Sequence, residues 1–430
     1  MIKGGTMNSL RNLLIYEVYV RNHTTEGTFK AFAKDLDRIK ALGVDFIWFM
    51  PIHKISEENK KGSLGCPYAV KDFKSINPEY GTKEDFKSLI KEIHERDMKV
   101  MIDIVFNHTG YNSKYYEENR DYFYKNSKGD VANKVGDWYD IIDLDYSNKD
   151  LRQEQIEVLK YWSNLGVDGF RCDVAPLIPM EFWIEARSAI EKINPNTIWL
   201  AETVHPHFLM ELRNKGFIGH SDCETYQAFD ITYDYGVDLD IKNYLKGKIS
   251  LEKYLDKLRM QEYIYPNNYV KLRFLENHDQ PRAAKLIPDY KKLKQWTAFK
   301  YFEKGAMLLY AGQESLDTNL PSLFDKDLIH WDHMKKDYSD FLKDLRRIKS
   351  DKLLTEGNYT IHKTDTDLIY LSYKNDNHLK VGFFNLSLFD KKLEVDIPNG
   401  TYENLINKKK ITIENNQLHL NEDPIIFDVN

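Results

Sequence analysis

The chain has 430 residues, 42% of them hydrophobic, and a formal net charge of −6, which fits one large domain plus a smaller one around sizeable cores. The slightly acidic balance, without basic blocks, argues against nucleic acid as the main partner, and no run reaches the ~18 apolar residues of a membrane span. The N-terminus lacks an apolar signal segment with a cleavage site, and three cysteines (Cys66, Cys172 and Cys223) make no disulfide framework, so a cytoplasmic protein with no membrane partner is expected.

Residues 1–6 read as unstructured, with Met7 as an alternative start. Residues 14–20 (LIYEVYV) form a first strand. Residues 29–41 follow as a helix, with Phe29, Phe32, Leu36 and Ile39 at helical spacing, and Gly43 stops it. Residues 45–50 (DFIWFM) make a second strand, ended by Pro51. Thr82 caps a helix, with Asp85 at the capping-box position and a buried stripe of Phe86, Leu89, Ile90 and Ile93. Residues 99–106 (KVMIDIVF) are a third strand. Ser147 is expected to cap a helix over 150–164 that Gly166 ends. Residues 169–174, 198–201, 229–233, 270–275 and 306–310 are the fourth to eighth strands. Eight apolar strands alternating with amphipathic stretches predict a (β/α)8 barrel, which needs ~250 residues or more.

Two segments fall outside a bare barrel. Residues 109–140 are rich in Tyr, Asn and Lys and show no apolar period; loops of this length are functional or form a small inserted domain. Tyr111, Tyr115, Tyr116, Tyr122 and Tyr124 read as anchors of that insert rather than as sugar contacts. Beyond 353 the pattern changes to short strands, with 368–373 and 379–385 flanking a turn at 374–378. This predicts an antiparallel β domain, a sandwich. The expected division is a barrel from 8–108 and 141–350, an insert at 109–140 and a β domain at 353–430.

The charges sit where the strands end. Strand three ends in Asp103 and Asn107-His108, strand four in Arg171-Cys172-Asp173, strand five in Glu202, and strand seven in Asn277-His278-Asp279. Residues i and i+2 of a strand share a face, so Arg171 and Asp173 point together. At the C-terminal end of a barrel that face opens on the active-site side. The aromatic content, 13% with 28 Tyr and 7 Trp, is what large cores need. It is also what stacking against pyranose rings would use.

The motifs DIVFNH, GFRCDVA, AET and ENHD, in that order, resemble the four short motifs of the α-amylase family, glycoside hydrolase family 13. Residues 65–82 (GCPYAVKDFKSINPEYGT) resemble the segment after strand two of that family, and 141–145 (IIDLD) its inserted-domain motif. The resemblance implies a retaining α-glycosidase that hydrolyses α-glucosidic bonds, most simply α-1,4 bonds of maltodextrins. Retention needs two carboxyl groups ~5 to 5.5 Å apart. Carried over, Asp173 is the nucleophile, Glu202 the acid/base and Asp279 the third carboxylate, which stabilises the cation-like sugar. His108 and His278 bond sugar hydroxyls, Tyr68 stacks under the ring, and Asp103 orients Arg171. Arg171 is expected to keep Asp173 ionised, and the apolar run IWLA to raise the pKa of Glu202. Each residue also has a plainer reading, as a strand-end ion pair, a core histidine or a packing tyrosine.

The chain departs from the family where a Lys-His pair follows the nucleophile motif in many secreted members; Pro176 and Leu177 stand there. The chemistry needs no cofactor. Asn107 and Asp143 match side-chain ligands of calcium-binding members, so a structural Ca²⁺ is a candidate. Two rivals stay open. One is a glucanotransferase or phosphorylase that passes the same covalent intermediate to another acceptor. The other is a non-catalytic glycan-binding relative, which would be expected to have lost a carboxylate.

Overall fold

The computed structural model describes residues 7–364 and 366–429; the expectation for residues 1–6 lies outside these. Eight strands close into a parallel barrel: β1 (Leu14–Val18), β2 (Phe46–Phe49), β3 (Lys99–Ile104), β4 (Gly169–Cys172), β5 (Ile198–Ala201), β6 (Ile231–Tyr233), β7 (Lys271–Arg273) and β8 (Ala306–Tyr310). Each pairs with its sequence neighbours, and β8 pairs with β1. The eight expected strands are all present, several shorter than read. The first gives way at Val20 to a short helix, Val20–His23.

The strands are buried on both faces, as parallel strands are. One set of side chains packs against the surrounding helices. The other fills the barrel, where Ile15, Met101 and Leu200 pack with Phe46, Leu272 and Leu308. Two residues further along the same strands, on the same face, stand Glu17, Asp103 and Glu202. The interior therefore changes from apolar to charged toward the C-terminal ends. Gly169 starts β4 on the face of Arg171, and a Cβ there would stand 3.0 Å from Met101 Cε.

Helix Lys83–His94 has the expected capping box between Thr82 and Asp85. The helix before β4 runs Lys149–Leu165 and ends at Gly166, which is left-handed at φ 105°. Its cap is Asn148 rather than Ser147, because the Asn148 carboxamide accepts from the Asp150 and Leu151 amides. The expected helix over 29–41 is two, Phe29–Ala33 and Leu36–Ala41. Its bonds tighten to i−3 at Lys34 and Asp35, where Asp35 turns its carboxylate to His23 and Arg38.

Between β3 and β4 the chain makes an antiparallel pair, His108–Gly110 with Ile141–Asp143. Residues between them carry a short helix, Lys114–Glu118, and a 3-10 turn, Arg120–Tyr122. Tyr115 packs on Phe73 and Tyr122, and Tyr116 on Phe123, so these tyrosines hold the insert together. From Asn358 onward two four-stranded antiparallel sheets enclose a common core that includes Val381, Phe383, Leu418 and Phe427. The first sheet docks on helix Tyr290–Phe302, where Phe384 meets Phe299 and Phe302.

Candidate active site

The barrel register sets Asp103 directly beside Arg171, and Arg171 beside Leu200. Arg171 is fully buried on the strand face that looks up the barrel axis. Its Nη1 donates to Asp103 Oδ1 at 2.9 Å and to Asp173 Oδ1 at 2.8 Å. Its Nη2 lies 2.9 Å from Glu202 Oε2. One guanidinium thus faces three carboxyl groups from three successive strands. Trp48, Tyr68 and Tyr233 place their rings 5.1, 5.8 and 5.5 Å from its centre, shielding it from water and adding cation–π attraction.

Val174, next to Asp173, is left-handed at φ 35°. A β-branched residue rarely sits there, and the conformation costs on the order of 1–3 kcal/mol. The turn aims the Val174 N–H at Glu202 Oε2, 2.9 Å away. That donor holds the carboxyl of Glu202 beside Asp173.

On the far side of the cleft the Tyr68 hydroxyl donates to Asp103 Oδ2 at 3.1 Å. It also lies 2.9 Å from His278 Nε2, and the two rings stack with centroids 5.5 Å apart. His278 Nδ1 meets Glu17 from β1, and Nε2 lies 3.2 Å from Asp279 Oδ2. Tyr68, His108, Asp173, Glu202, His278 and Asp279 line one open cleft of about 200 Å³. Asp103 and Arg171 lie buried beneath it.

The environments separate the carboxyl groups. Burial pushes Glu202 up to about 8; Arg171 pulls against it, while Asp173 and Asp279 add to the rise. Burial also pushes Asp173 up, to about 6, against the pull of Arg171. Arg171 draws Asp173 toward its ionised form, but desolvation is the larger effect, and Asp103 adds to the rise. Asp279 goes the other way; burial would raise it, but His278 draws it below the usual carboxylate range. His278 is itself raised well above an ordinary imidazole despite burial, because Asp279 and Glu17 flank it.

Asn107 and Asp143 come together but do not fit a calcium ion. Asn107 Nδ2 donates to Asp143 Oδ1 at 3.2 Å, and the Lys134 backbone N–H donates to Oδ2 at 2.8 Å. The Lys134 ammonium stands 4.0 Å from the same oxygen. Both carboxylate oxygens are engaged and a cation is already present, whereas Ca²⁺ takes six to eight oxygens. Among the described residues no group of three or more His, Cys, Asp or Glu side chains could hold a metal.

Several cleft residues carried no sequence signal. Lys61, Trp138, Asp140 and Phe324 line the site from loops. Glu17 had one, an acid within an apolar strand. Pro176 and Leu177 complete the 3-10 turn Ala175–Leu177, and Leu177 packs in one apolar cluster with Val174, Phe208 and Trp138. The cysteines are all free, and burial pushes the Cys66 thiol up to about 12, which leaves it unreactive.

Comparison with known proteins agrees with this geometry. The α-amylase catalytic domain profile matches residues 17–142 and 135–359, and the bacterial α-amylase C-terminal domain profile matches 360–427. An α-amylase of Lactobacillus plantarum superposes with a TM-score of 0.95 at 41% identity, covering 98% of this chain and 99% of that one. A noncanonic maltogenic α-amylase, AmyB from Thermotoga neapolitana, gives 0.88 at 32% identity over 98% and 99%. Alpha-amylase MalA of Haloarcula japonica is 27% identical over 84% of this chain, which spans 51% of that protein's length. With both profiles spanning nearly its whole length, the chain belongs to the α-amylase family of glycoside hydrolases.

Proposed function

We propose that the protein is a retaining α-glycosidase that cleaves α-1,4 bonds of maltodextrins through a covalent glycosyl-enzyme intermediate. One observation carries the reading: Asp173, Glu202 and Asp279 share a cleft at the C-terminal ends of the barrel strands, with Glu202 raised furthest and Asp279 lowered. The names of the maltogenic and α-amylase relatives support an α-glucan as substrate.

In this reading Asp173, ionised, attacks the anomeric carbon as the glycosidic C–O bond breaks. Glu202 enters protonated and gives its proton to the leaving oxygen. It then takes a proton from the water that attacks the glycosyl–Asp173 ester, which restores both groups. Asp279, held ionised by His278, faces the cation-like sugar. His108 and His278 bond its hydroxyls, and Tyr68 gives the ring a flat face. Arg171 and Asp103 position the two reacting carboxyls. No step uses a metal or an organic cofactor. We take the barrel to span 8–108 and 141–350, with the insert at 109–140 and the β domain at 353–430, and the protein to work in the cytoplasm.

The test is substitution. Asp173→Asn should lower kcat on maltoheptaose by on the order of 10⁴-fold or more with the thermal midpoint kept; substantial turnover would remove Asp173 as nucleophile. Glu202→Gln should lose far more rate on maltoheptaose than on an activated aryl maltoside, whose leaving group needs no proton. Equal losses would count against the acid role.

A further inference from the structure

The cleft has two unlike walls that meet at Trp138. On one side Val174, which lines the cleft with Glu202, is backed by Val204 and Phe208. The other, beyond Tyr68, holds Cys66, Ile141 and Phe324. The acid protonates the leaving oxygen, so the leaving sugar lies along the first wall. The retained part of the chain points at the second.

Three separate segments build that second wall. Lys61 Nζ lies 2.7 Å from Asp140 Oδ1, which ties the loop before Cys66 to the end of the insert. The same ammonium sits 4.7 Å from the Tyr139 ring centre and 5.9 Å from that of Phe324. The loop after β8 is laced to the first: Ser63 N and Oγ donate to Asp325 Oδ1 at 2.8 and 2.6 Å, and Leu64 N donates to Phe324 O at 3.0 Å. Buried Arg21 donates through Nη1 to Gly65 O and Leu323 O, at 3.1 and 3.0 Å. Gly62, left-handed at φ 63°, lets the loops meet; a Cβ would stand 2.5 Å from Phe324 Cβ.

Exposed ion pairs hold little together. This one differs, because the Asp140 side chain is 3% exposed and removing its cation leaves a buried charge. Both partners line the substrate cleft, and an ammonium has three N–H donors for sugar hydroxyls. We propose that the Lys61–Asp140 pair determines specificity by closing the glycone end of the cleft, so that an α-glucan binds with its non-reducing end against Lys61 and is cut a short, fixed distance from it. This rests on the glycosidase reading of the site.

The test compares p-nitrophenyl maltoheptaoside with the same compound blocked by a 4,6-ethylidene group at its non-reducing end, with products separated by chromatography. The protein should cut the free form at least about tenfold faster in kcat/KM, the scale on which a closed pocket rejects a misfit. Lys61→Ala and Asp140→Asn should each bring the ratio toward one, and Lys61→Arg should keep it. Equal cleavage of both compounds by the unmodified protein overturns the proposal, and that comparison needs no variant to fold. A ratio left intact in both the Ala and Asn variants overturns the assignment to this pair. If neither compound is cut while the chain stays folded, it is the glycosidase reading that has failed, and the proposal falls with it.

Discussion

Arg171 faces three carboxyl groups, Asp103, Asp173 and Glu202, and one positive charge cannot keep all of them ionised in a buried site. On the proposed mechanism the proton is carried by Glu202, whose pKa rises furthest. This sets a pH profile. Below the lower apparent pKa of the pair Asp173 is protonated and cannot attack; above the upper one Glu202 has lost the proton it must give. The account therefore predicts a bell in kcat/KM, with an acid limb near 6 from Asp173 and an alkaline limb near 8 from Glu202. In Glu202→Gln the alkaline limb should vanish on an activated aryl maltoside while the acid limb stays. An alkaline limb unchanged in that variant would assign it to another group. Val174, left-handed beside Asp173, donates its N–H to Glu202 of the same pair.

The helices and loops decide how firmly those residues are held. Thr82 accepts from the Asp85 amide, and Asp85 accepts from that of Thr82, so Thr82→Ala should cost about 1 kcal/mol in a denaturant titration; no loss would mean the cap contributes nothing. Asn107 and the Lys134 backbone N–H hold Asp143 in the insert by hydrogen bonds, so a chelator should move the thermal midpoint by less than about 2 °C, the scale of a 1 kcal/mol change. A large drop would show that a metal supports the fold. Elements with strong local signals were legible: the eight apolar runs, the Thr82 box and the stop at Gly166. The choice between Ser147 and Asn148 was not, because both are good caps and only the chain direction into the helix decides which side-chain oxygen meets the amides. The strand-end carboxyls, Arg171 and His278 were legible because short motifs hold them. Lys61, Trp138, Asp140 and Phe324 were not, because loops far apart in sequence bring them together.

At the scale of the whole molecule, the closed barrel places every reacting group at the same end of eight parallel strands, and the β domain docks on helix Tyr290–Phe302 through Phe384 and Asn385. Asn385 donates its backbone N–H to Gln295 Oε1 at 2.9 Å, a joint no local pattern announced. No helix among the described residues is long and apolar enough to cross a membrane. The central claim is that this assembly retains configuration while it shortens an α-glucan. The most direct measurement is a proton NMR time course of the purified protein with maltoheptaose, reading the anomer and the length of the first products. The account predicts shorter products that appear first as the α-anomer and mutarotate later. First products in the β-anomer would contradict a covalent intermediate on Asp173, and products longer than maltoheptaose would contradict hydrolysis in favour of transfer.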